Sequence, residues 1–572
     1  MEHQQKEKSG RKLPIPVGKS DWEYIAAHNY CVDKTLLIRD LLAADVGVAL
    51  FTRPRRFGKT TAMKMLKSFF ELRGDGGADV RELFETRAIS RCEGSDEWMA
   101  HQGKYPVIYL TFKDHKAPNW DEALERLRID IGNEFKRHEV CIESLPPGAK
   151  RDDFINSGER RASVASLGNS LGFLAEALHL HHKAKPIVLI DEYDSPINSA
   201  STNGYYDEMV AFMRAFLPGA MKDNDHVKMG VMTGVLRVAK EGILSGLNNL
   251  EVLTVFDEPF SEHFGFTEAE VVEMARYYGH EDKMPEIKSW YDGYDFGGHE
   301  MYNPWSVLYY FKANCKPHPY WLDTSSNDII NELVEGLPFD MVNTLESLLK
   351  GEKPVVPMTS ELGPYQYIRN QEDTLYALLV STGYLKPVGQ MLSGRCEVSI
   401  PNREIAHVFE QDFLRKLRRC AAGHRELNAI ENAFFRRSSA EFKEHVERFL
   451  LESASYFDAS AEGFYHGLVL GMLSFMRSVY VITSNRESGY GRFDIMLKPR
   501  PERRDFPAVI IEVKAAKDET ADLKALAAEA RRQIDEKNYA ASLEAEGCTD
   551  ILKFGYALFG KRSEICRDSC KR

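Results

Sequence analysis

The sequence predicts an α/β protein of three parts: a three-layer domain over a parallel sheet, a helical and winged-helix-like middle, and a smaller C-terminal α/β domain. Three observations carry this. Near-continuous β-branched runs alternate with amphipathic stretches as far as residue 260, the pattern of a parallel sheet covered on both faces. A helix, hairpin, helix pattern follows over 372–418. The chain then returns to paired strand patterns, "GRFDIML" and "AVIIEVKAA", ahead of a long helical one.

In order, the first domain's strand candidates are "VGVALF" (46–51), "YPVIYLTF" (105–112), "KPIVLIDE" (185–192), "VKMGVMTG" (227–234) and "LEVLTVF" (250–256). At 572 residues the chain is too long for one core. The expected divisions are a disordered polar tail over 1–18, a first domain over 19–275, a middle over 276–425 and a last domain over 426–572. Aromatics crowd "WYDGYDFGGHEMYNPWSVLYYF" (290–311). Core packing is the expected use of these rings, and a ligand-stacking surface is the alternative. The basic run "RKLRR" (415–419) reads either as a DNA-reading helix end or as a solvated one.

Composition narrows the class. The hydrophobic fraction is 43% and the charged fraction 28%, as in globular proteins. No run reaches the ~18 apolar residues of a membrane span, and "MEHQQKEKSGRKLPIP" lacks the apolar centre of a signal peptide. A cytoplasmic protein without a membrane partner is expected. The nine cysteines contain no C-x-x-C pair, so neither a zinc ribbon nor a disulfide framework is supported. "HLHHK" (179–183) has no second ligand cluster and is expected to be solvated. A net charge of −12 argues against coating nucleic acid but leaves room for a local basic groove.

The chemistry begins at "LFTRPRRFGKTT" (50–61). Gly58, Lys59 and Thr60 complete the end of a phosphate-binding loop, but Arg53 stands where the first glycine is usual. Strand before and helix after aim backbone N–H groups at anionic phosphate. The binding set expected for ATP is Arg56, Phe57, Gly58, Lys59, Thr60 and Thr61, with Lys59 on the phosphates and Thr60 on Mg²⁺. "IVLIDEYD" ends a strand with Asp191, a second metal ligand, and Glu192, a base for the attacking water. Thr233 closes the strand "GVMT", where it can sense the γ-phosphate. Arg237 stabilises transition-state charge, from its own chain or from a neighbour in a homo-oligomer, or is an ordinary surface arginine.

"YCVDKTLLIRDLL", "FTRPRRFGKTTAMKMLKSFF", "VLIDEYDSPIN" and "TGVLRVAKEGILSGLNNL" together resemble the AAA-ATPase-like family over roughly residues 12–300. The resemblance implies a P-loop NTPase fold of the ASCE/AAA-like type. In that family R-P-R-R-F-G-K-T is the usual form of the loop, so Arg53 is no defect. Whether Arg53, Arg55 and Arg56 brace the loop, contact phosphate or meet a neighbour stays open. Members commonly carry a C-terminal PD-(D/E)XK nuclease-like domain with a restriction-endonuclease-like fold.

The last domain supports that on its own residues. Asp494 lies in one strand, while Glu512 and Lys514, two apart, share a face of another. Two carboxylates and a lysine suit a hard cation, Mg²⁺ or Mn²⁺, and a water nucleophile. Glu462 is a candidate additional carboxylate on an upstream helix, and Gln533 a polar site residue on the downstream one. The bland reading of E-V-K is a charged edge strand. The expected function is an ATPase coupled to a metal-dependent nuclease on nucleic acid, DNA before RNA. The alternative is an ATP-gated switch or assembly protein that binds nucleic acid without cutting.

Overall fold

The computed structural model describes residues 12–74, 80–222, 224–237, 249–321, 344, 347–359, 372–409, 430, 433–453, 462–473, 476, 479–488, 491–503, 505–516 and 518–567. It divides into two compact units, one of residues 1–326 and 347–407, the other of 327–346 and 408–572.

The first unit is built on a parallel sheet of β1 (Val48–Thr52), β2 (Val107–Thr111), β3 (Ile187–Asp191), β4 (Met229–Gly234) and β5 (Leu250–Leu253), in the order β2-β3-β4-β1-β5. β1, β3 and β4 are buried along their whole length, which is why each reads as an unbroken apolar run rather than an alternating one. Ala49, Phe51, Leu189 and Val231 meet Leu66, Phe69 and Phe70 of the helix Lys59–Phe70 in one core. Burial of each large side chain stabilises by about 1.5–3 kcal/mol. The strand order sets β4 between β1 and β3, so the C-terminal ends of all three gather at one edge. Ligands of open α/β sheets bind at such an edge.

A subsidiary sheet of β6 (Phe266–Thr267), β7 (Tyr294–Phe296) and β8 (His299–Tyr302) follows, with the helices Glu268–Tyr278 and Pro304–Lys312. Thr267 and Glu270 form a reciprocal capping box at the start of the first helix. The aromatic run is mostly core, as expected: Tyr291, Tyr302 and Tyr310 are fully buried. Trp305 and Tyr309 are half-buried and line a cleft.

The helix Glu372–Thr382, the hairpin β10 (Lys386–Leu392) and β11 (Arg395–Ser399), and the helix Arg403–Val408 reproduce the helix, wing, helix pattern, with β9 (Val355–Pro357) added beside β11. This module belongs to the first unit, and the position 275 at which a division was expected lies inside that unit. Buried Glu404 accepts the Ser306 hydroxyl at 2.9 Å and the Trp321 N–H at 2.8 Å. The basic run 415–419 lies outside the described residues.

Residues 12–18, expected in a disordered tail, are tethered instead. Leu13 N–H donates to the Tyr277 hydroxyl at 2.8 Å, the Tyr278 hydroxyl donates to the Leu13 carbonyl at 2.9 Å, and Tyr30 N–H donates to the Pro14 carbonyl at 3.1 Å. The tethers to Tyr277 and Tyr278 lie more than 260 residues away in sequence, beyond the reach of local composition.

The second unit holds a sheet of β12 (Tyr480–Ser488), β13 (Gly491–Pro499), β14 (Ala508–Ala515), β15 (Ile551–Phe559) and β16 (Arg562–Arg567), in sequence order across the sheet. β14 and β15 are parallel, and the helix Leu523–Glu536 connects them. Gly555 of β15 admits that helix: a Cβ there would meet the Ala527 carbonyl at 2.1 Å. Among the described residues no helix is long and apolar enough to cross a membrane.

Candidate functional site

Gly58 sits at the N-cap of the helix Lys59–Phe70 with φ +84°, a left-handed conformation that favours glycine. The chain can thus turn directly from loop to helix. The Lys59 ammonium bridges the carbonyls of Arg53 and Pro54, both at 2.8 Å, bracing the loop. Burial lowers the pKa of Lys59, while the fields of Glu192, Asp194 and Asp191 oppose that shift.

Asp191 is the hub of the site. It is fully buried, so its charge must be matched by hydrogen bonds. Thr60 donates to Oδ2 at 2.8 Å and Thr233 to Oδ1 at 2.7 Å, while Thr111 approaches Oδ2 at 3.4 Å. The strand order explains the convergence, because the flanking strands β2 and β4 bring Thr111 and Thr233 to the end of β3. Thr111 was missed in the sequence, where its only signal is a polar residue closing the run "VIYLT".

Glu192 follows with φ +55°, uncommon for a side-chain-bearing residue. Its N–H donates to the Thr233 hydroxyl at 3.4 Å. Burial raises the carboxyl pKa, and the Lys59 ammonium opposes the shift. Asp194 was also missed. Its buried carboxylate accepts N–H bonds from Val235 at 3.0 Å and Leu236 at 2.9 Å, and the Tyr193 hydroxyl donates to the Leu236 carbonyl at 2.7 Å. "DEYD" therefore grips the segment leading to Arg237, which is itself not among the described residues lining the cleft.

The cleft has a volume of about 560 Å³ and is lined by Gly58, Lys59, Thr60, Thr61, Glu192 and Asp194, and by Lys19, Arg55, Arg56, Lys113, Lys116 and Asp114. Six cationic side chains against three acidic ones suit a polyphosphate. Arg56 lies with its guanidinium carbon 4.4 Å from the Trp305 ring centroid. Phe57, expected in the binding set, packs its ring on Tyr294 and Phe296 at 4.9 and 5.0 Å and lines the apolar chamber beside the loop rather than the cleft. Beside the loop lies an apolar chamber of about 110 Å³, lined by Pro16, Tyr30, Val32, Thr61, Ala62, Met65 and Leu308 among others. The sequence held no signal for it, since its walls come from four separated segments.

The second unit assembles the other set. β13 and β14 pair antiparallel as far as Ile495 opposite Ile511, and Asp494 and Glu512 are the residues next to that last pair. Asp494 Oδ2 accepts the Val513 N–H at 2.8 Å, fixing the carboxylate against β14. Glu512 is buried at 2% exposure, and Gln533 Nε2 donates to its Oε1. The same Gln533 nitrogen reaches the Tyr539 hydroxyl at 3.3 Å. Burial raises the Tyr539 phenol, and the charges of Glu512 and Asp494 raise it further. Lys514 is half-buried on the face it shares with Glu512.

His466, missed in the sequence, makes a 3.2 Å hydrogen bond to the Asp494 carbonyl oxygen from the helix Glu462–Leu473. Glu462 opens that helix, and its side chain lies outside the described residues. Among the described residues no group of three His, Cys, Asp or Glu side chains converges as a metal site. The carboxylates of Asp494 and Glu512, whose charges both act on Tyr539, fit Mg²⁺, which commonly takes one or two carboxylates and keeps its waters.

Comparison with known proteins agrees with both halves. Residues 16–244 match the family model of a predicted AAA-ATPase, and residues 460–568 match that of the PD-(D/E)XK nuclease superfamily. An uncharacterized protein in the vnfD 5' region of Azotobacter chroococcum mcd 1 is 26% identical over 336 residues, covering 57% of this chain and 56% of the relative. The chain thus spans little more than half the length of that relative.

Proposed function

We propose that the AAA-ATPase-like domain of this chain binds and hydrolyses ATP, and that the PD-(D/E)XK domain cleaves nucleic acid, DNA before RNA, under its control. The observation that carries the first half is the meeting of Thr60, Asp191 and Thr233 at one buried carboxylate. Thr60 and Asp191 would hold Mg²⁺, which neutralises phosphate charge when bound. Lys59 and the N–H groups around Gly58 bind phosphate. Glu192 accepts the proton of the attacking water, and Thr233 relays the occupancy of that place to Asp191 and to the Glu192 amide. The apolar chamber takes the base. Arg237 acts on the developing charge from its own chain or a neighbour's, in keeping with a homo-oligomer, and the setting is the cytoplasm.

In the nuclease half, Asp494 and Glu512 would hold Mg²⁺ or Mn²⁺, with Glu462 as an added carboxylate, and the metal supplies an activated water and charge neutralisation. Lys514 orients that water, and Gln533 holds Glu512. The alternative function is an ATP-gated switch that binds nucleic acid without cutting, which the net charge of −12 favours. One assay separates the two. Full-length protein, Lys59→Ala, Glu192→Gln and Glu512→Ala are tested on DNA and RNA with Mg²⁺, with and without ATP. Cutting that disappears in Glu512→Ala supports the nuclease, and equal behaviour of wild type and Glu512→Ala rejects it. Normal ATP turnover by Glu192→Gln rejects Glu192 as the base.

A further inference from the structure

Arg53 stands where a phosphate loop ordinarily has its first glycine, and it is fully buried. Its backbone serves the loop: the N–H donates to the Gly234 carbonyl at the end of β4 at 3.2 Å, and the carbonyl accepts the Lys59 ammonium at 2.8 Å. The side chain serves the sheet. Nη1 donates to the carbonyls of Thr52 at 3.0 Å and Leu253 at 2.8 Å, joining β1 to the end of β5. The guanidinium carbon lies 5.7 Å from the Phe264 ring centroid and 5.3 Å from that of Phe296.

What it lacks among the described residues is an ion-paired counter-charge. Among the described residues neither Nε nor Nη2, both buried, has a hydrogen-bond partner. Among the described residues no carboxylate forms an ion pair with Arg53. Asp257, the acid whose field reaches it, has Oδ2 engaged by the Thr254 N–H and hydroxyl, both at 2.7 Å. Burial pushes the guanidinium down to about 10, so it remains a cation at neutral pH. A buried cation with unmet donors is costly. The aromatic faces offset part of that cost.

We propose that Arg53 is a binding determinant that never touches its ligand: a buried charge completed only when anionic phosphate occupies the adjoining loop. The inference rests on the nucleotide reading above. In a weakly screened interior one unit charge at about 10 Å changes affinity roughly tenfold per opposite charge. The effect must therefore grow with the number of phosphates on the ligand. An arginine that merely holds β1 to β5 would alter all ligands alike.

The test is calorimetric titration of the full chain with ATP, ADP, AMP and adenosine, using wild type, Arg53→Met and Arg53→Lys. Arg53→Met is expected to weaken ATP by roughly tenfold or more, AMP less, and adenosine not at all. Arg53→Lys, which keeps the charge and loses the fork, is expected to stay within about threefold of wild type for ATP. Equal weakening of all four ligands by Arg53→Met overturns the proposal. So does a tenfold loss of ATP in a folded Arg53→Lys protein, which keeps the test decisive where the methionine variant does not fold. The nucleotide reading fails separately, by absence of ATP binding in wild type.

Discussion

The Thr60 hydroxyl donates to Asp191 Oδ2 at 2.8 Å across 131 residues of chain. This bond makes the phosphate loop and the acidic strand end a single site. It also explains why Asp191 tolerates full burial, since Thr233 answers on Oδ1 at 2.7 Å. The carboxylate is positioned by these partners.

Thr233→Val keeps the shape and removes the hydroxyl. Asp191 loses a donor and the Glu192 N–H loses its acceptor, at a cost of about 1–3 kcal/mol in stability. ATP affinity should change by less than about threefold while turnover falls by roughly ten- to a hundredfold. Paired titration and steady-state turnover measure both, and unchanged turnover rejects the sensing role.

Ala62→Leu places a larger side chain at the wall of the apolar chamber, where Ala62 is 7% exposed. A base seated there predicts roughly tenfold weaker binding of both ATP and adenosine, with inorganic triphosphate unaffected. If triphosphate weakens equally, the chamber is not where the base sits.

Gln533→Leu removes the donor to Glu512 Oε1 and to the Tyr539 hydroxyl. Nuclease rate should fall at least tenfold and the Mg²⁺ concentration for half activity should rise, because the Glu512 carboxylate loses the amide that holds it. Unaltered Mg²⁺ dependence rejects a positioning role for Gln533. Gly555→Ala should destabilise the same domain by about 1–3 kcal/mol, since the helix cannot approach β15 past a Cβ.

Asp292 supplies a pH signature. Burial raises its carboxyl pKa to about 6 in the fold, from the ordinary aspartate value. A raised folded pKa favours the protonated form, so its contribution to stability is present at low pH and lost as pH rises through 6. Asp292→Asn should therefore be nearly neutral at pH 4 and stabilising at pH 8, read by urea unfolding. Equal differences at both values reject the assignment.

Much of the fold was legible because it is local. Buried parallel strands betray themselves as unbroken apolar runs, and "GRFDIML" with "AVIIEVKAA" places acids by simple alternation. Phe57 shows the limit. Its neighbours in the motif line the cleft, while its ring packs on Tyr294 and Phe296 of the subsidiary sheet and lines the separate chamber, a difference no local spacing announces. Residues 12–18 show the same limit, as their polar flank hides a segment tied down by Tyr277 and Tyr278. His466 had no signal at all, since its partner is a backbone carbonyl in another element.

By itself, the sequence determined the alternation of strands and helices, the Gly58-Lys59-Thr60 turn, the Asp191-Glu192 strand end and the facing of Glu512 with Lys514. These depend on spacings of one to four residues, the range over which backbone periodicity acts. Only the tertiary structure decided that Asp191 gathers three threonines, that an apolar chamber adjoins the loop, and that Arg53 lies buried with no ion pair among the described residues. Those facts follow from β4 lying between β1 and β3 and from a subsidiary sheet closing over the loop. No local spacing encodes which distant strands become neighbours.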